Sequence, residues 1–437
     1  MKISVLGTGY VGLVSGVGLA SVGHVVSCFD NRAQIVDSLS QGTPTIYEPG
    51  LPELLERVRA SGNISFAAPT ARALSESEVI LIAVGTPSKD GDIDLSYVRE
   101  VARMAGEAIS LADHTISVIV KSTVVPGTTR GLVTETVLAA SGGPRDKFGI
   151  GMNPEFLREG CAISDFQFPD RIVLGHEDSI ALAHLEQMYS PFDVDKIKVN
   201  TATAELTKYA NNMLLALQIS AANEIANVAA VVGGIDPMDV IRGVVADARW
   251  GGPQAQPIVK YLIPGPGFGG SCFPKDVEAI RELGQAYALP MHVSSAVLAV
   301  NAEQPSRAIS SMLDEAELRG KKVVVLGLAF KPDTDDVRAT PALGVVLALQ
   351  GHGAIVTAHD PLGIDGFREL HSEGVAFVTD WKAAVLAADV VVVPTPWGEY
   401  SAVPGLLKAG QILVDPRRAY SPSALAPDVS YRSLGIR

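Results

Sequence analysis

Cysteine is scarce in this chain: three residues in 437 (Cys28, Cys161 and Cys272), an odd count, widely spaced and outside any metal-ligand pattern. That excludes a disulfide framework, gives no reason to expect a metal, and suits a reducing compartment. Basic residues are outnumbered, 35 Lys plus Arg against 48 Asp plus Glu, for a formal net charge of −13. Such a field repels polyanions, so nucleic acid is not an expected partner, and any phosphate must be held by a local site. A clean membrane span is missing too. The longest uncharged stretch, Ile3 to Phe29, is broken by six glycines and preceded by a single lysine, so neither a signal peptide nor a transmembrane segment is expected. There is no short-period repeat and no low-complexity tract. What remains, 47% hydrophobic and 19% charged, is ample for packed cores in about three domains of a soluble, cytoplasmic protein without a membrane partner.

The first thirty residues read strand, glycine turn, helix, strand. Ile3–Leu6 and Val25–Phe29 are short β-rich apolar runs, and further strand candidates follow at Glu78–Val84 and Thr115–Ser122 with helix-like stretches between them. That alternation predicts a doubly wound parallel sheet. The texture changes at Ala202–Val232, which has no Gly or Pro and carries apolar residues at helical spacing. It predicts one helix of about thirty residues, roughly 45 Å long, with Thr201 or Thr203 at its start. A helix of that length joins domains or builds a dimer interface. The strand–helix rhythm restarts at Lys321–Asp336 and continues through Ala354–Pro361, Asp389–Pro396 and Ile412–Arg418. The expected fold class is α/β: two Rossmann-like doubly wound domains joined by a long central helix in a helical middle domain.

Gly7-Thr8-Gly9-Tyr10-Val11-Gly12 matches G-x-G-x-x-G after a strand and at the start of a helix, with Asp30 ending the next strand 18 residues beyond Gly12. Glycines there admit a pyrophosphate to the helix N-terminus and the acid takes the ribose hydroxyls, which predicts a bound dinucleotide. Asp30 favours NAD over NADP, and Arg32 nearby tempers that preference. A second glycine-rich stretch, Gly265, Gly267, Gly269 and Gly270, runs into Cys272 and a helix expected at or just after Pro274. A thiol at that junction, with Lys275 beside it and Asp276 four residues on, is placed as a nucleophile, whereas Cys28 and Cys161 read as ordinary small hydrophobes. Lys208 and Asn212 stand at i and i+4 on the long helix. Spacing alone favours a solvated face for them. Glu155 and Glu159 flank Arg158, a pattern that surface ion pairing explains equally well. A nicotinamide cofactor together with a nucleophilic cysteine fits an alcohol oxidised past the aldehyde, through a thiohemiacetal and a thioester, to an acid.

These motifs resemble the UDP-glucose/GDP-mannose dehydrogenase family. The carriers are GTGYVG (7–12), YEPGL (47–51), VGTPSKDGDIDL (84–95), KSTVVPGT (121–128), NPEFLREG (153–160), PDRIVLG (169–175), KYANN (208–212), NEIAN (223–227), GGSCFPKD (269–276), LGLAFKPDTDDVR (326–338) and DPRR (415–418). The resemblance implies a homodimer built through the central helix and two NAD-dependent oxidations of a nucleotide-sugar C6 hydroxyl to a carboxylate. It implies Cys272 as nucleophile, Lys208 and Asn212 as oxyanion and hydroxyl holders, and Asp276 and Thr123 as positioners of water and proton transfer. Glu155 takes thioester hydrolysis. On the cofactor side it implies Gly7, Gly9, Tyr10, Val11, Gly12, Asp30, Arg32, Thr86, Pro87, Thr123, Glu159 and Lys275. On the substrate side it implies Phe156, Leu157 and Arg158 beside Glu155, then Tyr261, Gly265, Gly267, Phe268 and Gly269 around the nucleotide. Lys331 and Arg417 approach from the C-terminal domain, and Arg249 crosses the dimer.

PDRIVLG and the phenylalanine of SCFPKD resemble the UDP-glucose branch rather than the GDP-mannose one. Ile35 departs from the Lys or Arg common five residues after the ribose acid, and the 248–265 stretch is longer than the family's. The implied domains are 1–197 (NAD-binding), 198–302 (central helical, dimerisation and catalytic cysteine loop) and 303–437 (nucleotide-sugar-binding α/β). The nearest rival, a two-electron β-hydroxyacid dehydrogenase, needs neither Cys272 nor the second α/β region.

Overall fold

A computed structural model describes residues 1–89, 92–250 and 260–436. Two residues of the 84–95 motif and the middle of the long 248–265 stretch therefore lie outside the described residues. The chain divides into two compact units, Met1–Asn211 and Asn212–Arg437.

The first unit is built on an eight-stranded sheet: β1 (Lys2–Leu6), β2 (Val25–Phe29), β3 (Ile64–Ala67), β4 (Val79–Ile82), β5 (Ile116–Val120), β6 (Phe148–Met152), β7 (Ile172–His176) and β8 (Lys196–Val199). Their order across the sheet is β8-β7-β6-β5-β4-β1-β2-β3, parallel throughout except between β6 and β7. The first six strands thus stand in the order 3-2-1-4-5-6, with the switch point between β1 and β4, where α/β sheets bind ligands. β4, β5 and β6 are buried along their whole length, as parallel strands covered on both faces must be. One face packs Val5, Leu13, Val17, Leu55 and Leu81 into a core, and the other packs Leu6, Ile80, Val118, Phe148 and Ile150. Truncating a fully buried Leu such as Leu13 or Leu55 to Ala should cost about 2–5 kcal/mol.

The second unit carries a six-stranded sheet: β9 (Lys322–Leu326), β10 (Ile355–His359), β11 (Val375–Phe377), β12 (Val390–Val392), β13 (Ile412–Val414) and β14 (Ser430–Arg432). All are parallel, in the order β11-β10-β9-β12-β13-β14. That is again 3-2-1-4-5-6, so both expected doubly wound sheets are present.

The central helix spans Thr201–Val232, one residue longer than the expected segment, and an apolar window of it is hydrophobic enough for a membrane span by composition. Beyond residue 211 it packs Ala216, Met213 and Leu217 against Phe268, Val277 and Val297, and Ala226 joins the core of the second sheet. Its apolar character is thus partly used inside the second unit, while Ile225, Val228, Val231 and Val232 stay exposed.

Candidate active site

At the end of β1 the turn and the helix Tyr10–Ser21 are shaped by three glycines with three different reasons. Gly7 has φ +97°, and a Cβ there would meet the Ala83 carbonyl oxygen at 2.8 Å. A Cβ on Gly12 would fall 1.9 Å from the Gly7 oxygen, so only glycine lets the helix close on the turn. Gly9, the N-cap, faces open space, and no side chain caps the helix, which leaves its first amides for a pyrophosphate. Asp30 lies beside them. Its carboxylate accepts hydrogen bonds from the Thr8 amide (3.1 Å) and hydroxyl (2.7 Å), and from Arg32 through its amide (3.0 Å), Nε (2.9 Å) and Nη2 (3.0 Å). Burial alone would raise its pKa, but the bonds from Arg32 and Thr8 hold it well below the usual carboxylate range. A ribose can therefore meet a fixed anion, and these residues fit a dinucleotide.

The second sheet repeats the topology, with an aspartate in the corresponding place. Asp360, just past β10, accepts the amides of Leu328 (2.7 Å), Ala329 (3.0 Å), Leu362 (2.9 Å) and Gly363 (2.7 Å) and the indole N–H of Trp397 (3.0 Å). Like Asp30, it is held by five donors from the protein itself, here four backbone amides and an indole.

Further along the first unit, Thr86 donates its hydroxyl to the Thr123 carbonyl at 2.8 Å, joining the turns that follow β4 and β5, and Pro87 beside it is exposed. The 153–160 segment leaves β6 with Phe156 packed on one core and Leu157 on the other. Glu155 is buried, and its Oε2 accepts from Lys208 Nζ at 3.4 Å, while its Oε1 has no partner among the described residues. Arg171 stacks 4.0 Å over the Phe156 ring, and Lys208 Nζ lies 5.7 Å from the same ring. Arg158 pairs with Asp165 at 2.6 Å. Glu155 thus turns inward to a helix lysine, while Arg158 forms its surface ion pair with Asp165. Glu159 acts electrostatically on Tyr10, whose buried hydroxyl donates to Glu48.

The solvated-face reading of Lys208 and Asn212 is also overturned. They are 4% and 5% exposed, because that face of the helix is covered.

In the second unit, Cys272 is the N-cap of the helix Phe273–Ala286, which begins one residue before the expected Pro274. Ser271 Oγ is 3.5 Å from its Sγ. One turn on, Asp276 is 1% exposed and accepts from Asn212 Nδ2 (2.7 Å) and Lys275 Nζ (2.5 Å). Cys28, by contrast, is enclosed in the first core, where burial pushes its thiol up to about 12; Cys161 is exposed, so the reading as a buried small hydrophobe holds for Cys28 alone. The glycine loop is fixed from three sides. Asn223 accepts the Gly265 amide at 2.8 Å, Asn301 brackets Phe268 (2.8 and 3.0 Å), and Arg417 Nη2 donates to the Gly267 carbonyl at 3.0 Å. Burial pulls the Arg417 guanidinium down to about 10. A Cβ on Gly269 would strike the Ala339 carbonyl oxygen at 2.3 Å, so the loop can pass there only as glycine. Tyr261, Phe268 and Phe273 form an aromatic group beside the thiol, with centroids 6.4 and 5.8 Å apart. Lys331 Nζ sits 5.6 Å over Phe330, whose ring packs on Gly270. Arg249 is exposed and paired with Asp247 at 2.6 Å.

Four buried polar positions next to the candidate residues are not singled out by the sequence. Glu48 ties Tyr10 to the Gly160 and Ala162 amides (both 2.7 Å), and Glu205 holds the Gly127 and Thr129 amides (2.5 and 2.8 Å). Lys121 and Asn153 meet at 2.7 Å beside Glu155. Glu48, Lys121 and Asn153 stand inside quoted motifs and Glu205 lies three residues before Lys208. Their partners are remote in sequence, however, so only the motifs themselves could have pointed to them.

Comparison with known proteins gives one family. The UDP-glucose/GDP-mannose dehydrogenase NAD binding domain matches residues 1–193, its central domain 202–303 and its UDP binding domain 324–422. The chain is 40% identical to the UDP-glucose 6-dehydrogenase of Rhizobium meliloti over 450 residues, covering 100% of this chain and 99% of that protein. It is 39% identical to UDP-glucose 6-dehydrogenase TuaD of Bacillus subtilis, covering 99% and 93%. Among solved structures, a UDP-glucose dehydrogenase from Pyrobaculum islandicum superposes with a TM-score of 0.89 at 41% identity, covering 100% of this chain and 98% of that one.

Proposed function

The chain belongs to the UDP-glucose/GDP-mannose dehydrogenase family, and from that premise we propose that it carries out the NAD-dependent oxidation of the UDP-glucose C6 hydroxyl to the carboxylate of UDP-glucuronate. The observation that carries the mechanism is Cys272 at a helix N-cap with Asp276 one turn on, held by Asn212. NAD, held by the Gly7–Gly12 turn and Asp30, supplies the hydride acceptor for both oxidations when bound.

Lys208 and Asn212 hold the C6 oxygen and stabilise the charge that develops on it. Once the aldehyde exists, the Cys272 thiolate adds to its carbonyl carbon, a C–S bond forms, and the oxygen becomes the oxyanion of a thiohemiacetal. The second oxidation leaves a thioester on Cys272. Glu155 takes a proton from water, the water oxygen bonds to the thioester carbon, the C–S bond breaks, and the thiolate is regenerated with the acid product. Asp276 and Thr123 orient the water and the proton. Phe156, Leu157, Arg158, Tyr261 and the 265–269 loop shape the sugar and nucleotide site, and Lys331 and Arg417 meet the substrate's phosphates or sugar. Thr86, Pro87, Glu159 and Lys275 complete the cofactor side.

We further propose a cytoplasmic homodimer joined through the exposed apolar face of the central helix, with Arg249 offered to the partner. The substrate assignment is tested by kcat/KM with NAD for UDP-glucose and GDP-mannose side by side. UDP-glucose should be preferred by at least about a hundredfold, the discrimination expected when a site built for one polar group meets another. Preference for GDP-mannose would refute the substrate while keeping the chemistry.

A further inference from the structure

Lys121 leaves the C-terminal end of β5 and Asn153 the end of β6, its parallel neighbour, with Val120 and Met152 paired in the ladder. Their side chains meet at 2.7 Å, Nζ to Oδ1, and Asn153 Nδ2 donates at 2.9 Å to the Val173 carbonyl on β7, so one amide bridges three strands. Tyr189 donates its hydroxyl to the same Oδ1. Asn153 is followed two residues later by Glu155. An ammonium 6% exposed stands here with Asn153 as its one hydrogen-bond partner among the described residues, and proteins seldom bury a lysine in this way without a use for it.

We propose that Lys121 is a positioning residue for the reaction: its buried ammonium fixes the turn that carries Glu155 and adds a second positive charge beside Lys208. The groups that face it are Glu155 from the loop after β6 and Lys208 from the central helix. Tyr189 is reached through Asn153 and Arg171 stacks on Phe156; Glu205, three residues before Lys208 on the central helix, has its oxygens taken by the Gly127 and Thr129 amides. Two ammonium groups around one carboxylate leave a net positive charge among buried side chains, suited to an oxyanion forming on the substrate. Burial lowers the Lys121 pKa to about 8, opposed by Glu155 and reinforced by Lys208. The sign follows: Lys121 is cationic at neutral pH, and its contribution fades as the pH rises through about 8.

The inference rests on the reaction proposed above, so the test includes a readout that needs no substrate. Lysine ε-carbon NMR of the labelled full-length enzyme, with the signal assigned by its absence from Lys121→Met, should show one lysine titrating near pH 8. Kinetically, kcat/KM should fall on the alkaline side with the same midpoint. Lys121→Arg, cationic throughout, should keep most activity and move that limb upward by at least about one pH unit. Lys121→Met should lose about tenfold or more at pH 7 and show no limb near 8. Asn153→Asp, which sets a carboxylate against the ammonium, should also move the limb upward and serves if Lys121→Met does not fold. A Lys121 signal that does not titrate between about pH 7 and 9, or an alkaline limb that stays put in Lys121→Arg and Asn153→Asp, overturns the proposal. Loss of UDP-glucose oxidation with the NMR titration intact would instead count against the reaction itself.

Discussion

Asn212 donates a 2.7 Å hydrogen bond from Nδ2 to Oδ2 of Asp276, tying the central helix to the helix that Cys272 caps. The amide is a neutral donor, and its identity matters. Asn212→Asp would set two buried carboxylates at that separation, where they cannot both ionise. We expect kcat to fall by at least about 10²-fold, comparable with loss of an oxyanion donor, while NAD binding is kept. Near-normal turnover in steady-state assays would remove the pair from the mechanism.

Lys208→Ala should also lower kcat by about 10²-fold or more. It strips Glu155 of its 3.4 Å partner and leaves the buried carboxylate with Lys121 as the remaining ammonium acting on it, so some loss of thermal stability should accompany it. Full activity in a folded variant would sink the assignment.

Asp30→Ser tests the cofactor end. The substitution removes the ribose acid and frees the Arg32 guanidinium, which the carboxylate holds at 2.9 and 3.0 Å, to meet a 2′-phosphate. The NADP to NAD ratio of kcat/KM should rise at least about tenfold, the effect of one good charged contact. Because the folded pKa of Asp30 is depressed, its contribution to stability is present above the unfolded value of about 3.9 and is lost as the pH falls toward the folded one. An unchanged cofactor ratio would contradict the role of Asp30.

Much of this architecture is legible in the chain. Val25–Phe29 matches its expected bounds, and the central helix begins one residue before the expected start, because both segments carry strong periodic patterns. The edge strands do not. Ile64–Ala67 and Lys196–Val199 flank the first sheet, Val375–Phe377 and Ser430–Arg432 the second; all four are short and partly exposed, and all but Val375–Phe377 lack a continuous apolar run. Phe148–Met152 is hidden differently: Gly149 and Gly151 dilute its β character, yet a Cβ on Gly149 would meet the Ala181 amide nitrogen at 2.6 Å. In the site, the glycine turn, Asp30 and Cys272 are read from local spacing. The burial of Lys208 and Asn212, and the pairing of Glu48, Glu205 and Lys121, depend on partners brought in by tertiary packing, which spacing does not encode.

The exposed apolar face of the central helix makes its own prediction. Val228, Val231 and Val232 are 63%, 88% and 66% exposed, a costly display unless covered. Val228→Asp with Val231→Asp should convert a dimer to a monomer in sedimentation at micromolar protein. A dimer that persists unchanged would place the interface elsewhere.

The central claim is that Cys272 carries the oxidation past the aldehyde. The most direct measurement is NADH formed per UDP-glucose consumed, at limiting sugar, in the parent enzyme and in Cys272→Ser. Two NADH per sugar in the parent, with no net acid formed by Cys272→Ser while NAD still binds, is the expected result. One NADH per sugar in the parent, or undiminished acid from Cys272→Ser, would leave the cysteine without its role.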